Sequence, residues 1–313
     1  MSISALYSQS FPPKSKFTVD DIPDLTGRIV IVTGANVGVG KETAKALLSH
    51  NAKVYLAARN KEKAEAAINE LKELTGREGI FLKLDLSNLA SVKAAAEEFL
   101  SKENELHILF NNAGVMVPPH EQLTTQGYDL QFGTNVLGHF YFTTLLLPAL
   151  IAGKNTSPDK KSRVVTTSSG AAYLSSGINF DALVDGHQRK KTSVETLYKD
   201  SKLGNLLFAN ELAKRYEHQG IISTSVNPGN LKSDLQRHVS FIQSILIKPL
   251  LHPVAFGALT QLWAGTSPEG LELNGQFLIP WARRTTDLPS AASNAKLAAD
   301  LWTWCEEQVA KHP

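Results

Sequence analysis

The chain has 313 residues, 42% of them hydrophobic and 20% charged, a composition that supports a large buried core and argues against intrinsic disorder. Its 32 basic and 30 acidic residues leave a formal charge of +2, too little charge of one sign to hold a nucleic-acid backbone. A single cysteine, Cys305, excludes an internal disulfide, and the start lacks the basic and apolar blocks of a signal peptide, so a cytoplasmic protein is expected.

Residues 1–25 are rich in Ser, Pro and Lys without a sustained period, which predicts an arm that packs on the surface or stays mobile. The folded domain is expected over residues 26–313. There, short β-branched or apolar runs alternate with longer helix-patterned stretches. The runs are Ile29 to Thr33, Lys53 to Ala58, Gly79 to Leu84, His107 to Asn111, Arg163 to Ser168, Ile221 to Asn227 and Gln276 to Ile279. Continuous apolar strands separated by helices predict an α/β fold, a doubly wound (Rossmann) seven-stranded parallel sheet with helices on both faces, in a single domain.

The first strand runs into Thr33-Gly-Ala-Asn-Val-Gly-Val-Gly40 and then a helix-patterned stretch. Glycines at a strand-to-helix turn let a pyrophosphate approach the backbone, and the helix N-terminus offers it free amides. The second strand ends in Leu56-Ala-Ala-Arg-Asn60. An acid there would bind the ribose 2′-hydroxyl of NAD, but Arg59 stands in its place and suits a 2′-phosphate, so NADP(H) is favoured over NAD(H). The third strand ends at Asp85 and Leu86, and the fourth in Asn111-Asn-Ala-Gly114. Asp85 could equally cap the next helix, which Ser87 and Asn88 precede.

Further on come Asn135, in Gly133-Thr-Asn-Val-Leu-Gly-His-Phe140, and then Ser168 and Ser169 at the end of the fifth strand. Either serine hydroxyl could donate to a substrate oxygen. Tyr198 and Lys202 follow, four residues apart and so on one helix face. A cation near a phenol favours the phenolate and is expected to lower its pKa. Val226-Asn-Pro-Gly-Asn-Leu-Lys-Ser233 comes after the sixth strand, and Leu235 to Leu251 reads as a substrate lid whose apolar residues fit a lipophilic substrate. The apolar run Phe241 to Phe256 is too interrupted to cross a bilayer, although peripheral membrane contact stays open. No pair of histidines has metal-ligand spacing with a third ligand, so no metal is predicted.

In this order the motifs resemble the short-chain dehydrogenase/reductase family, over nearly the whole chain after residue 25. The resemblance implies Asn135, Ser169, Tyr198 and Lys202 as the catalytic set, with Ser168 the structural partner of Ser169. It places the cofactor along Gly34, Asn36, Gly38, Val39 and Gly40, then Arg59, Asp85 and Leu86, then Asn111, Ala113 and Gly114. Tyr198 and Lys202, and Pro228, Gly229 and Ser233, complete that path. In this reading Tyr198 is the general acid/base, Lys202 keeps the phenol acidic and holds the nicotinamide ribose, and the Asn135 amide holds a water linking Lys202 to solvent. The stretch between Ser169 and Tyr198 is longer than in compact family members. Its insertion, Asp181 to Lys191, is mostly charged and is expected as a surface excursion. That segment, the Ala57-Ala-Arg-Asn60 turn and the Trp-containing tail resemble the retinol-dehydrogenase-like and WW-domain oxidoreductase-like branch. A homodimer through the helices near Thr124 to Ala152 and Ser193 to Gln219 is implied by resemblance alone.

The expected activity is an NADP(H)-dependent interconversion of carbonyl and alcohol on a lipophilic small molecule. Two other classes stay open: a catalytically idle NADP(H)-binding sensor and a membrane-surface lipid-binding protein. A methyltransferase could use the glycine turn but gives no reason for the Tyr-Lys pair.

Overall fold

Eight strands form one sheet in the order β3-β2-β1-β4-β5-β6-β7-β8. The computed structural model describes residues 3–232 and 251–312. The strands are β1 (Ile29–Thr33), β2 (Lys53–Ala58), β3 (Ile80–Lys83), β4 (Ile108–Asn111), β5 (Ser162–Thr167), β6 (Ile221–Val226), β7 (Phe277–Ile279) and β8 (Arg283–Arg284). All neighbouring pairs are parallel except β7 with β8. The expected seven strands are therefore joined by an eighth, a two-residue antiparallel edge. Its sequence is a pair of arginines with no apolar run, so periodicity could not reveal it.

Strand composition explains why both faces are covered. Along β1, Ile29 and Ile31 enter one apolar core while Val30 and Val32 enter the other. Every residue of β1, β4, β5 and β6 is buried, as a sheet sandwiched between helices requires. Trp302 completes the first core, stacked on Phe208 at 6.0 Å and edge-on to Phe140 at 5.0 Å between ring centroids, and Trp263 packs in the second.

The order reverses between β1 and β4, which leaves a crevice at the carboxyl ends of those strands. Two long helices form its far wall. One runs from Leu130 to Thr156 and, with a mean hydropathy of 1.6 in its most apolar window, is long and apolar enough to cross a membrane. Here it lies in the core, with Phe132, Phe140, Phe142 and Leu146 fully buried. The other is Val194–Tyr216, capped by the Ser193 hydroxyl, which accepts from the Thr196 amide at 3.2 Å. It ends before Gly220, whose φ of +84° closes the turn into β6.

Of the two outcomes expected for the N-terminal arm, packing on the rest of the chain is the one found, and the surface excursion expected of the insertion is corrected in part. The N-terminal arm forms a helix, Ile3–Ser10, whose Gln9 is buried. In the insertion, most charged residues are exposed, but Ala182, Leu183 and Arg189 are buried. Arg189 reaches inward to Asp129 and donates to the carbonyls of His120 and Gln122 at 2.5 and 3.0 Å. A charged sequence reads as solvated until a buried carboxylate is found opposite one of its cations.

Candidate active site

A cleft of about 1120 Å³ opens at the crevice and reaches from the glycine turn to the Val194–Tyr216 helix. At its inner end Gly34 takes φ +69°, and a Cβ there would lie 3.1 Å from both Cα and Cβ of Ala113. A Cβ on Gly40 would meet the Gly34 carbonyl oxygen at 2.5 Å, so the turn closes only with glycine. The helix Gly38–Ser49 begins there with Val37 at its N-cap and no side chain on its first amides. Gly38, Val39 and Gly40 line the cleft, so these amides and the helix dipole face a space that fits a pyrophosphate.

At the end of β2, Arg59 and Lys63 are both exposed and both line the cleft. Asn60 between them caps the next helix, accepting from the Lys63 amide at 2.8 Å. Two cations on one rim suit a phosphate, and Lys63, one turn beyond Arg59, was missed in the sequence because nothing marks it among its neighbouring charges. Asp85 and Leu86 also line the cleft. The Asp85 carboxylate accepts from the amide and hydroxyl of Ser87 at 3.0 and 2.6 Å, while the helix cap itself is Asn88.

Asn111 lies away from the cleft, contrary to the expected placement. It is buried within β4 and its amide donates to Thr143 Oγ1 at 2.9 Å. Asn112, one residue later and on the opposite face, lines the cleft and ties β4 to β1 by donating to the Thr33 carbonyl at 2.8 Å. Thr33 Oγ1 accepts from the backbone amides of Asn112 and Ala113, each at 2.9 Å. Ala113 and Gly114 line the cleft as expected.

The helix carrying Asn135 widens at Gly133–Leu137, where the Gly138 amide bonds the carbonyl five residues back. The Asn135 carbonyl is thereby opened to side-chain donors: Asn205 Nδ2 lies at 2.6 Å and His139 Nδ1 at 3.0 Å. The Asn135 side chain grips Val115 at both its amide, 2.8 Å, and its carbonyl, 3.0 Å, and also donates to Ser201 Oγ at 3.0 Å. Ser201 donates in turn to the Tyr198 carbonyl at 2.8 Å. Ser201 and Asn205 extend the face begun by Tyr198 and Lys202 at helical spacing. That polar stripe is visible in the sequence, but the same helix also carries Glu195, Lys199, Asp200, Asn210 and Glu211, so spacing alone does not single it out.

Ser168 and Ser169 separate by geometry. Ser168 is buried and donates to the Lys202 carbonyl at 2.6 Å, whereas Ser169 is partly open and lines the cleft with Tyr198, its hydroxyl accepting from the Ala171 amide at 3.1 Å. Lys202 is buried, its Nζ 6.0 Å from the Tyr198 ring centroid, and it donates to the Thr167 carbonyl at 3.0 Å. Burial pulls the Lys202 ammonium down to about 8. Burial also pushes the Tyr198 phenol up to about 12, opposed by the Ser169 hydrogen bond. The expected depression of the phenol by its lysine neighbour is not found: desolvation dominates, and Ser169 rather than Lys202 is what opposes it. Tyr198 keeps surface open towards the cleft, where a substrate would meet it.

Pro228 and Gly229 line the cleft opposite, the glycine at φ +84° with Trp281 filling the place a Cβ would take, at 2.7 Å. Ser233 and the expected lid up to residue 250 lie outside the described residues.

The profile of the short chain dehydrogenases matches residues 28–180. A short-chain dehydrogenase/reductase of Armillaria gallica is 56% identical over 307 residues, covering 98% of both chains. This chain belongs to the short-chain dehydrogenase/reductase family. It is also 41% identical over 282 residues to human retinol dehydrogenase 12, covering 89% of this chain and 85% of that one, within the retinol-dehydrogenase-like branch. Among solved structures, an uncharacterized protein from Mycobacterium paratuberculosis superposes with a TM-score of 0.72 at 32% identity, covering 94% of this chain and 97% of that one. The chain is therefore an oxidoreductase of a family that uses a nicotinamide cofactor.

Proposed function

We propose that this family member interconverts a carbonyl and an alcohol on a lipophilic small molecule, using NADP(H) in preference to NAD(H). The observation that carries this reading is that Ser169, Tyr198 and Lys202 line one cleft together with the glycine turn. Preference for NADP(H) rests on Arg59 and Lys63, two cations on the rim where the cofactor ribose would lie and where an acid would repel a 2′-phosphate.

When bound, the nicotinamide supplies or accepts the hydride. Ser169 and Tyr198 donate hydrogen bonds to the carbonyl oxygen and stabilise the negative charge that grows on it. Tyr198 then gives up its proton to that oxygen. A phenol held near 12 is fully protonated at neutral pH, so it stands ready as a donor, the state that carbonyl reduction needs. Lys202, held near 8, is poised to return a proton without a large uphill step. With its side chain engaged by Val115 and Ser201, Asn135 acts by holding the turn of helix beneath Tyr198. The lining residues Leu174, Leu231, Leu251 and Met116 give the substrate end its apolar character.

The test is a screen of NADPH oxidation across aldehydes, ketones, steroids and retinoids, with NADH as control. Tyr198→Phe should keep NADPH binding and lose about 10²–10⁴-fold in turnover, the usual worth of a positioned general acid. Tight NADPH binding by the wild type with no turnover on any substrate would replace this reading by that of an idle sensor.

A further inference from the structure

The helix Ile3–Ser10 reaches the cleft with its last two residues, Gln9 and Ser10, and is joined there by polar contacts to four distant segments. Gln9 is 6% exposed and takes part in hydrogen bonds on both sides of the site. Its Nε2 donates to the Tyr173 hydroxyl at 3.1 Å, and its Oε1 accepts from Asn227 Nδ2 at 2.8 Å. Tyr173 belongs to the turn Gly170–Leu174 that follows Ser169, and Asn227 precedes Pro228-Gly229 and accepts from the Gly229 amide at 3.0 Å. Beside Gln9, Arg283 donates to the hydroxyl and carbonyl of Ser8 at 3.0 and 2.8 Å, and His252 meets the Ser10 carbonyl at 3.2 Å.

None of Tyr7, Ser8, Gln9 and Ser10 belongs to either apolar core. Burial of a glutamine at the end of a chain, with hydrogen bonds spanning 164 and 218 residues, does little for the sheet that a core residue would not do better. Its effect falls on the cleft, which Gln9 and Ser10 line together with Ser169 and Tyr198.

We infer that the N-terminal helix is a fixed wall of the substrate pocket, and that Gln9 is the specificity-determining residue that limits how long a carbonyl compound the site accepts. This deepens the proposed carbonyl-reducing function and rests on it. A substrate with its carbonyl at Ser169 and Tyr198 must run its chain past the turn Gly170–Leu174 towards the arm. Gln9, clamped to Tyr173 and Asn227, stops it there. Shortening or unclamping that side chain gives longer chains room.

The test uses the full-length chain with Gln9→Ala and Gln9→Met, the first removing bulk and hydrogen bonds, the second the hydrogen bonds alone. kcat/KM is measured with NADPH over straight-chain aldehydes from butanal to decanal, and the NADPH dissociation constant by fluorescence titration. The ratio of decanal to butanal should rise about 3- to 10-fold in Gln9→Ala and less in Gln9→Met, the scale on which pockets discriminate by a few methylenes. NADPH affinity should stay within about two-fold in both, because the arm lies away from the glycine turn, and this also reports intact folding. An unchanged ratio in both variants, with the wild type active, overturns the role of the arm and leaves the proposed function standing. A wild type inactive on every aldehyde and on the wider panel overturns both.

Discussion

His139 Nε2 lies 2.8 Å from Thr33 Oγ1, so a buried imidazole joins the glycine turn to the helix that carries Asn135. Proton counting fixes its state. The Asn135 carbonyl can only accept, so His139 Nδ1 carries a hydrogen. Thr33 Oγ1 already accepts from two backbone amides, and its single proton faces two acceptors, the Phe110 carbonyl at 3.3 Å and the nearer Nε2, so Oγ1 has no lone pair left for a hydrogen on Nε2. The ring is therefore neutral, and burial holds its pKa down to about 4 from an ordinary 6.5. A His139 proton is bound in the unfolded chain below 6.5 but in the folded one only below about 4, so stability is lost as pH falls through that window. Between pH 7 and pH 5 the loss from this one group is about 2 kcal/mol. Urea unfolding at the two pH values should show His139→Phe losing less than the wild type by about that amount. Equal losses would mean that the imidazole titrates normally in the fold.

The paired cations at the β2 end make a second prediction. Each charge-assisted contact to a phosphate contributes about 1.5–3 kcal/mol, so Arg59→Asp should lower kcat/KM for NADPH by about 10- to 100-fold. Adding Lys63→Ala should lower it further, while kcat/KM for NADH holds or rises. Steady-state kinetics with both cofactors checks this, and an unaltered ratio of NADPH to NADH would remove Arg59 and Lys63 from the ribose site.

The buried pair Arg189 and Asp129 predicts where the fold is vulnerable. Asp129 caps the Asn135 helix, accepting from the amides of Gln131 and Phe132 at 3.0 and 2.9 Å. Burial raises its carboxyl even though the hydrogen bonds and the Arg189 guanidinium pull the other way. Removing the guanidinium leaves that carboxylate buried and unpaired, so Arg189→Ala should cost about 3–5 kcal/mol in urea unfolding. The double variant Asp129→Asn with Arg189→Met keeps the cap and removes both charges, and should cost clearly less. If the double variant is as damaging as Arg189→Ala, packing of the insertion rather than charge is what the pair protects.

Much of the site was legible because its signals are local. A glycine turn between a strand and a helix, and a phenol and an amine one turn apart, follow from backbone periodicity and hold whatever the rest of the chain does. The choice between Asn111 and Asn112 was not legible, because adjacent strand residues face opposite ways and only the sheet's packing decides which face is the cleft. The roles of Gln9, His139 and Arg189 were equally hidden. Each depends on partners far along the chain, with Gln9 meeting Tyr173, His139 meeting Thr33 and Arg189 meeting Asp129.

By itself the amino-acid sequence determined the alternation of strands and helices, the cofactor turn and the order of the reactive groups, since these are written in short-range spacing. Only the tertiary structure decided which serine faces the phenol and how burial shifts the two titrating groups. It alone also decided that Gln9 and Ser10 of the N-terminal helix line the cleft, because desolvation and long-range hydrogen bonds exist only once distant segments share one interior.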